Sequence, residues 1–301
     1  MEGLHVWRVM SHASWAAWVR PEVVLAVATL FALYGATVGP VRVALGRQPA
    51  RRREWICFLL GCVAVLAALG SPLAFLAAGY LLTAHMLQFV LLSMVAAPFM
   101  LSGLPLWVWD LLLPEGGVRK AAMFLGAPSP ALAAVPLSFR FFQTPGLTDE
   151  GLHSPPLYAV QAGILMLAGL LLWWPVFGPR LTAEGAKTRL KGPVELVYLF
   201  LMGFPGLILA SALVLFATGP VYPAYAPGEK AIGIPPLVDQ ILAGILMQTG
   251  MMLARSWIFA RIGLAWGARQ DAEERETRAG IVASSFTLPQ KKPWGLRERP
   301  S

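Results

Sequence analysis

Charged side chains are what this 301-residue chain has least of. Asp, Glu, Lys and Arg together make up 13% of it, about half of the ~25% usual in soluble domains. Apolar residues reach 57%, which excludes an ordinary soluble domain. Recognisable catalytic signatures are also missing. There is no H-E-x-x-H, no G-x-S-x-G and no phosphate-cradling glycine loop, so the expectation is that the chain is not an enzyme. Rows of embedded charge that would mark an ion or proton pathway are absent too. The net charge of +8 suggests nucleic acid at first sight, but the basic residues lie between apolar runs and in the C-terminal segment. They lack the aromatic interleaving of a nucleic-acid groove. Cysteine occurs twice, at Cys57 and Cys62. Five positions apart on a helix, these point in different directions, which argues against a shared disulfide or metal site.

What the chain does have is long apolar runs, several approaching the ~20 residues that cross a bilayer. They predict an all-α, polytopic integral membrane bundle of seven transmembrane helices. The expected spans are about 23–38, 55–69, 79–101, 121–137, 157–177, 194–218 and 237–258. Residues 1–20 carry charges throughout and lack the clean apolar core of a cleavable signal. Trp7, Trp15 and Trp18 beside basic residues suit an outer interfacial segment there. Residues 21–265 would form the seven-helix domain, and 266–301 a solvated, mobile cytoplasmic tail.

Lys and Arg fall unevenly between the two sides. Arg42, Arg47, Arg51, Arg52 and Arg53 share a side with Arg119 and Lys120. Arg180, Lys187, Arg189 and Lys191 lie there too, with the nine basic residues from Arg255 onward. Only Arg8, Arg20, Arg140 and Lys230 lie opposite. The N-terminus is therefore expected outside and the C-terminus in the cytoplasm of a bacterial cell, with the chain multi-pass in its membrane.

In that layout all four histidines, His5, His12, His85 and His153, fall on the outer side or in the outer part of a span. His85 shares a helix face with Gln88 and Phe89. Span seven opens with Asp239 and Gln240, and Gln240, Gly244, Met247, Gln248 and Met251 recur along one stripe. Tyr158 and Gln161 share a face of span five. An ionisable group inside a span is costly unless paired. Two readings stay open from the residues alone. One is an interhelical polar lock, His85 pairing with Asp239 or a glutamine. The other is a metal site, since imidazole and Met sulfur suit Cu(I). Asp149 and Glu150, adjacent acids in a short outer loop, read as solvated.

Four ordered segments resemble the membrane-embedded cytochrome c oxidase assembly factors of the Bacillus CtaG type (caa3-type oxidase assembly). AHMLQFVLLSMVAAPFMLSGLPLW is similar to that family's HMxQH segment, followed by a proline and a Gly-x-Pro. HSPPLYAVQAGILMLAGLLLWWPVFGP resembles its helix ending in Trp-Trp-Pro. LILASALVLFATGPVYPAYA looks like the stretch leading to its Tyr-Pro-x-Tyr. PPLVDQILAGILM is close to its Pro-Leu-x-Asp-Gln-x-x-x-Gly-x-x-Met. Order and spacing agree over about residues 20–260.

The resemblance implies a role in building a haem-copper oxidase, acting at the outer face in copper delivery or subunit maturation, with oxidase subunits or their precursors as partners. No haem or nucleotide is implied. His85, Met86 and Gln88 match the HMxQH segment, whose second His is Phe89 here. Tyr158, Gln161 and Ala162 stand where the family commonly shows His-x-x-Glu-His. Phe142-Gln143-Thr144-Pro145 corresponds to a Trp-His-x-Pro segment. The copper-binding version makes His85 the main Cu(I) ligand, helped by Met86 or Met247, with Asp239 and Gln240 orienting the imidazole. His153 would be an extra ligand. In the copper-free version His85, Gln88, Tyr158, Gln161, Asp239 and Gln240 form a polar lock, and the chain is a scaffold or accessory subunit among membrane lipids. A small-solute or ion transporter ranks third, because no internal repeat is visible.

The orientation is open to direct measurement. Cysteines placed at Lys230 and at Lys187 are expected to label from opposite sides of the membrane. Equal labelling of both from the outside would overturn it.

Overall fold

The computed structural model describes residues 18–133, 144–179, 193–202 and 218–286, and every regular element among them is a helix. A bilayer offers no water to backbone N–H and C=O groups, and the helix satisfies them locally. In chain order, α1 (Pro21–Ala44) leads into α2 (Arg52–Leu69) and a short α3 (Pro72–Ala77). Next come α4 (Leu82–Gly103), α5 (Leu106–Leu112) and α6 (Gly117–Leu125). After these, α7 (Pro145–His153) abuts α8 (Pro155–Phe177), and α9 (Pro193–Leu201), α10 (Ala226–Ile232) and α11 (Pro236–Phe286) follow.

Four of these are long and apolar enough to cross a membrane: α1, α4, α8 and residues Pro236–Ala279 of α11. They correspond to expected spans one, three, five and seven. The expected second span is α2, whose first three residues are Arg52, Arg53 and Glu54, so its apolar part is shorter than the ~20 residues of a typical crossing. The expected fourth is broken. α6 stops at Gly126, the helix resumes over 128–133, and Pro128 and Pro130 sit in that second piece. Residues 134–137 of that span lie outside the described residues, as do 203–217 of the sixth and residues 1–17 of the interfacial segment. Of the expected tail, residues 266–286 continue α11 as helix, and 287–301 lie outside the described residues.

α4 is the central helix. In its most apolar window 72% of residues are buried, against 17% in α1. Lipid tails are as apolar as leucine, so helix association in a membrane rests on close packing and interhelical hydrogen bonds. Small residues supply the closeness here. A Cβ on Gly103 would lie 2.6 Å from the backbone nitrogen of Phe58, and one on Gly61 would lie 3.2 Å from that of Met100, so α2 meets α4 nearly backbone to backbone. A Cβ on Gly169 of α8 would lie 2.7 Å from the Cα of Ser93, an equally close approach. Gly250 of α11 receives the side chain of Val90. Cys57 and Cys62 are both free and buried on α2.

The proline of α4 produces a second kind of lock. Leu91–Ala96 is a π-helical turn, in which the N–H of Ala97 reaches back five residues to the carbonyl of Leu92. In that register the next donor would be Pro98, which has no N–H. The carbonyl of Ser93 is thereby released, and the indole Nε1 of Trp173 donates to it at 2.9 Å. Trp173 is fully buried. At the far end of α4, Tyr34 of α1 donates its hydroxyl to the carbonyl of Gly103 at 2.9 Å.

Trp173→Phe keeps an aromatic ring but loses the N–H and part of the indole, which leaves that carbonyl unpaired beside a small void in the core. The expected cost is about 1–3 kcal/mol, seen as a lower unfolding temperature in detergent. Gly169→Leu should be worse, because the helices must separate. An unchanged melting temperature in Trp173→Phe would remove the hydrogen bond from the account.

Candidate functional site

The polar residues gather where α4 begins. Leu81 is extended (φ −139°, ψ 123°) and offers no side-chain cap, yet a helix N-terminus leaves N–H groups that must be satisfied. Asp239, from the first turn of α11, supplies the missing acceptor. Its Oδ2 takes the N–H of Leu82 at 2.6 Å and its Oδ1 that of Thr83 at 3.2 Å. The Thr83 hydroxyl also donates to this carboxylate. Asp239 is 1% exposed, so a residue 157 positions away in sequence caps the helix, with the favourable sign for a helix N-terminus.

Neighbouring groups sew the 218–235 segment onto the same place. Gln240 accepts the N–H of Val221 at 2.7 Å and donates to the carbonyl of Gly219 at 3.4 Å. Tyr225 donates its hydroxyl to Ala77 at 3.1 Å. Gly228 lies so close to the turn before α4 that a Cβ there would sit 2.2 Å from the carbonyl oxygen of Gly79. One residue on, Glu229 is 3% exposed and its Oε2 has no hydrogen-bond partner. Burial first, then the charge of Asp239 and a hydrogen bond with it, push the Glu229 carboxyl up to about 7. The solvated reading of Asp149 needs correction: one of its carboxylate oxygens is buried without a partner. Burial raises that carboxyl, partly offset by His153 and the Ala224 N–H. Glu150 is exposed.

His85 stands one turn into α4 on the wall of a cavity of about 40 Å³, room for a water or a small ion. Met86, Gln88, Phe89, Tyr158, Gln161 and Ala162 line the same space. Gln88 donates to the Ala68 carbonyl at 2.6 Å and accepts the Tyr158 hydroxyl. The Arg20 guanidinium lies 5.2 Å over the Tyr158 ring. Gln161 donates to Leu147 at 2.8 Å and lies against Gly151. The Nδ1 of His85 is buried without a partner, and its ring stands 6.3 Å from that of Tyr225.

The fold thus brings together His85, Met86, Gln88, Tyr158 and Gln161. Both oxygens of Asp239 are committed to α4, and Gln240 to the 219–221 turn, so neither orients the His85 Nδ1. Met247 is buried in the core cluster that includes Met86 and Phe89, and it does not line the cavity. His153 is also outside the lining; its Nδ1 pairs with the Asp149 carbonyl at 2.7 Å. Among the described residues no three His, Cys, Asp or Glu side chains converge as metal ligands. Thr83, Tyr225 and Glu229 were missed by sequence reasoning. The Tyr-Pro-x-Tyr segment carried a signal for Tyr225, whereas Glu229, beside Lys230 in a polar loop, looked like any solvated acid.

The sequence profile of the cytochrome c oxidase caa3 assembly factors matches residues 4–269. No curated protein and no solved structure gives a significant match.

The Glu229 carboxyl binds its proton more tightly folded than unfolded, so its contribution to stability is present below about pH 4.5 and is lost as pH rises through about 7. Glu229→Gln removes that dependence. The variant should melt higher than wild type at pH 8 and close to it at pH 4.5, measured by thermal unfolding in detergent. Parallel pH profiles for the two proteins would show that Glu229 is not held this way.

Proposed function

The chain belongs to the cytochrome c oxidase caa3 assembly factor family, and we propose that it acts by holding an oxidase subunit or its precursor in the membrane during maturation. In this reading the seven-span layout holds, the His85 end of the bundle faces outward, and the membrane is that of a bacterial cell. The observation that carries the proposal is the chemistry of the cavity wall. His85, Phe89, Tyr158, Gln161 and Ala162 occupy positions where the family pattern has its ligand-type side chains, and all five line one space. Only one of them is an imidazole. Phe89 and Ala162 have no donor atom, and amide and phenol oxygens suit soft Cu(I) poorly. Tyr158 and Gln161 are also engaged elsewhere, with Gln88 and Leu147. Such a donor set fits copper cargo poorly and a polar lock between α2, α4 and α8 well.

One observation favours the second reading, copper delivery. The unpartnered Nδ1 of His85 stands next to Met86, which lines the same cavity, and imidazole with thioether is a pair of the kind Cu(I) accepts. Copper would then be a transient passenger.

The two readings separate in one experiment. Wild type, His85→Ala and Phe89→His are purified in detergent and offered Cu(I) under reducing conditions. The holding role expects no stoichiometric copper in wild type and a gain in Phe89→His, where a second imidazole stands one turn from the first. It also expects an oxidase subunit to co-purify with both wild type and His85→Ala. Stoichiometric copper in wild type that disappears in His85→Ala would replace it with the copper-delivery reading.

A further inference from the structure

The opposite end of the bundle carries a different chemistry. At ~1.5 Å per residue, Arg261 lies about 33 Å along α11 from Asp239, close to the ~30 Å of a hydrocarbon core. Two clefts open there. One, of about 400 Å³, is lined by Arg51, Arg53, Glu54, Ser102 and Trp109 among others. The other, of about 230 Å³, is lined by Arg53, Glu195, Arg261, Trp266 and Arg269 among others. Arg53 and Phe177 belong to both. Four arginines face two carboxylates, and one oxygen of Glu54 is already taken by the backbone N–H of Arg51 at 2.7 Å. Among the described residues none of the four guanidinium groups is in an ion pair. By contrast, Arg119 at the α5–α6 turn has Asp110 at 3.3 Å.

We propose that these joined clefts bind the phosphate headgroup of an anionic phospholipid, with Arg53 between them. The guanidinium fork matches phosphate oxygens in a bidentate manner, and basic pockets between membrane helices are suited to anionic headgroups. Apolar surface for acyl chains runs from the same place toward the middle of the membrane. Ile56, Leu59 and Leu60 are exposed on α2 within two turns of Arg53, and Trp257 and Leu253 are exposed on α11 within about two turns of Arg261. That surface distinguishes a lipid from a free phosphate ion, which needs the arginines alone. Trp109 and Trp266 line the clefts, and Trp266 is exposed on α11 as an indole at a membrane interface would be.

The test uses the full chain in nanodiscs of phosphatidylcholine with a minor share of phosphatidylglycerol, followed by detergent extraction and native mass spectrometry of retained lipid. Wild type should retain the anionic lipid in preference, and the preference should fall at high salt. Arg53→Gln and Arg261→Gln should each reduce retention by about fivefold, while Arg275→Gln in the exposed part of α11 should leave it unchanged. Arg269→Gln, further out on the helix, serves as a second probe should Arg53→Gln prove unstable. Equal retention of both lipids, an equal loss in Arg275→Gln, or displacement of the lipid by millimolar inorganic phosphate would each overturn the proposal.

Discussion

The carboxylate of Asp239 holds the first turn of α4, and the rest of the molecule depends on that contact. α4 is the most buried helix, and it begins without a capping side chain of its own. A free helix N-terminus in a low-dielectric setting costs several unsatisfied N–H groups. Supplying the acceptor from α11 ties the start of the last described helix to the start of the central one. It also sets where Gln240 and Glu229 stand, since all three belong to one short stretch of chain.

That arrangement explains how the polar residues at this end divide their work. Asp239 caps α4, Gln240 holds the 219–221 turn, Gln88 bridges Tyr158 and Ala68, and Gln161 holds Leu147. Each satisfies backbone at or near the end of a helix or in a turn. His85 is left with an unpartnered Nδ1 beside a small cavity. A single imidazole amid phenol, amide and phenyl groups has the chemistry of a lock with one open position. Membership of the oxidase assembly family and this wall chemistry are the two supports of the proposed holding role.

The two ends of the bundle follow opposite electrostatic rules. At the His85 end Asp239 and Glu229 are buried, and Asp239 is spent on the backbone of α4. At the Arg53 end four exposed arginines outnumber the two carboxylates near them, and among the described residues none of the four is in an ion pair, with apolar helix flanks beside them. The contrast matches what each end is proposed to meet: backbone breaks at one, lipid headgroups at the other.

Much of this was legible in the residues. Scarce charge and long apolar runs made a helical membrane protein unavoidable, and Pro-Leu-x-Asp-Gln marked Asp239 and Gln240 as important before any contact was seen. His85, Gln88, Tyr158 and Gln161 were placed on shared helix faces by their i, i+3 spacing alone. What those faces meet could not be read, because hydrogen-bond partners 70 to 157 residues apart leave no periodic trace. Pairing His85 with Asp239 was plausible by charge, yet the backbone N–H groups of Leu82 and Thr83 are geometrically better donors and took the carboxylate. By itself the sequence determined composition, helical periodicity and the family. Only the tertiary structure decided which acceptor each buried donor receives, since that choice rests on distances of 3 Å that helix packing alone sets.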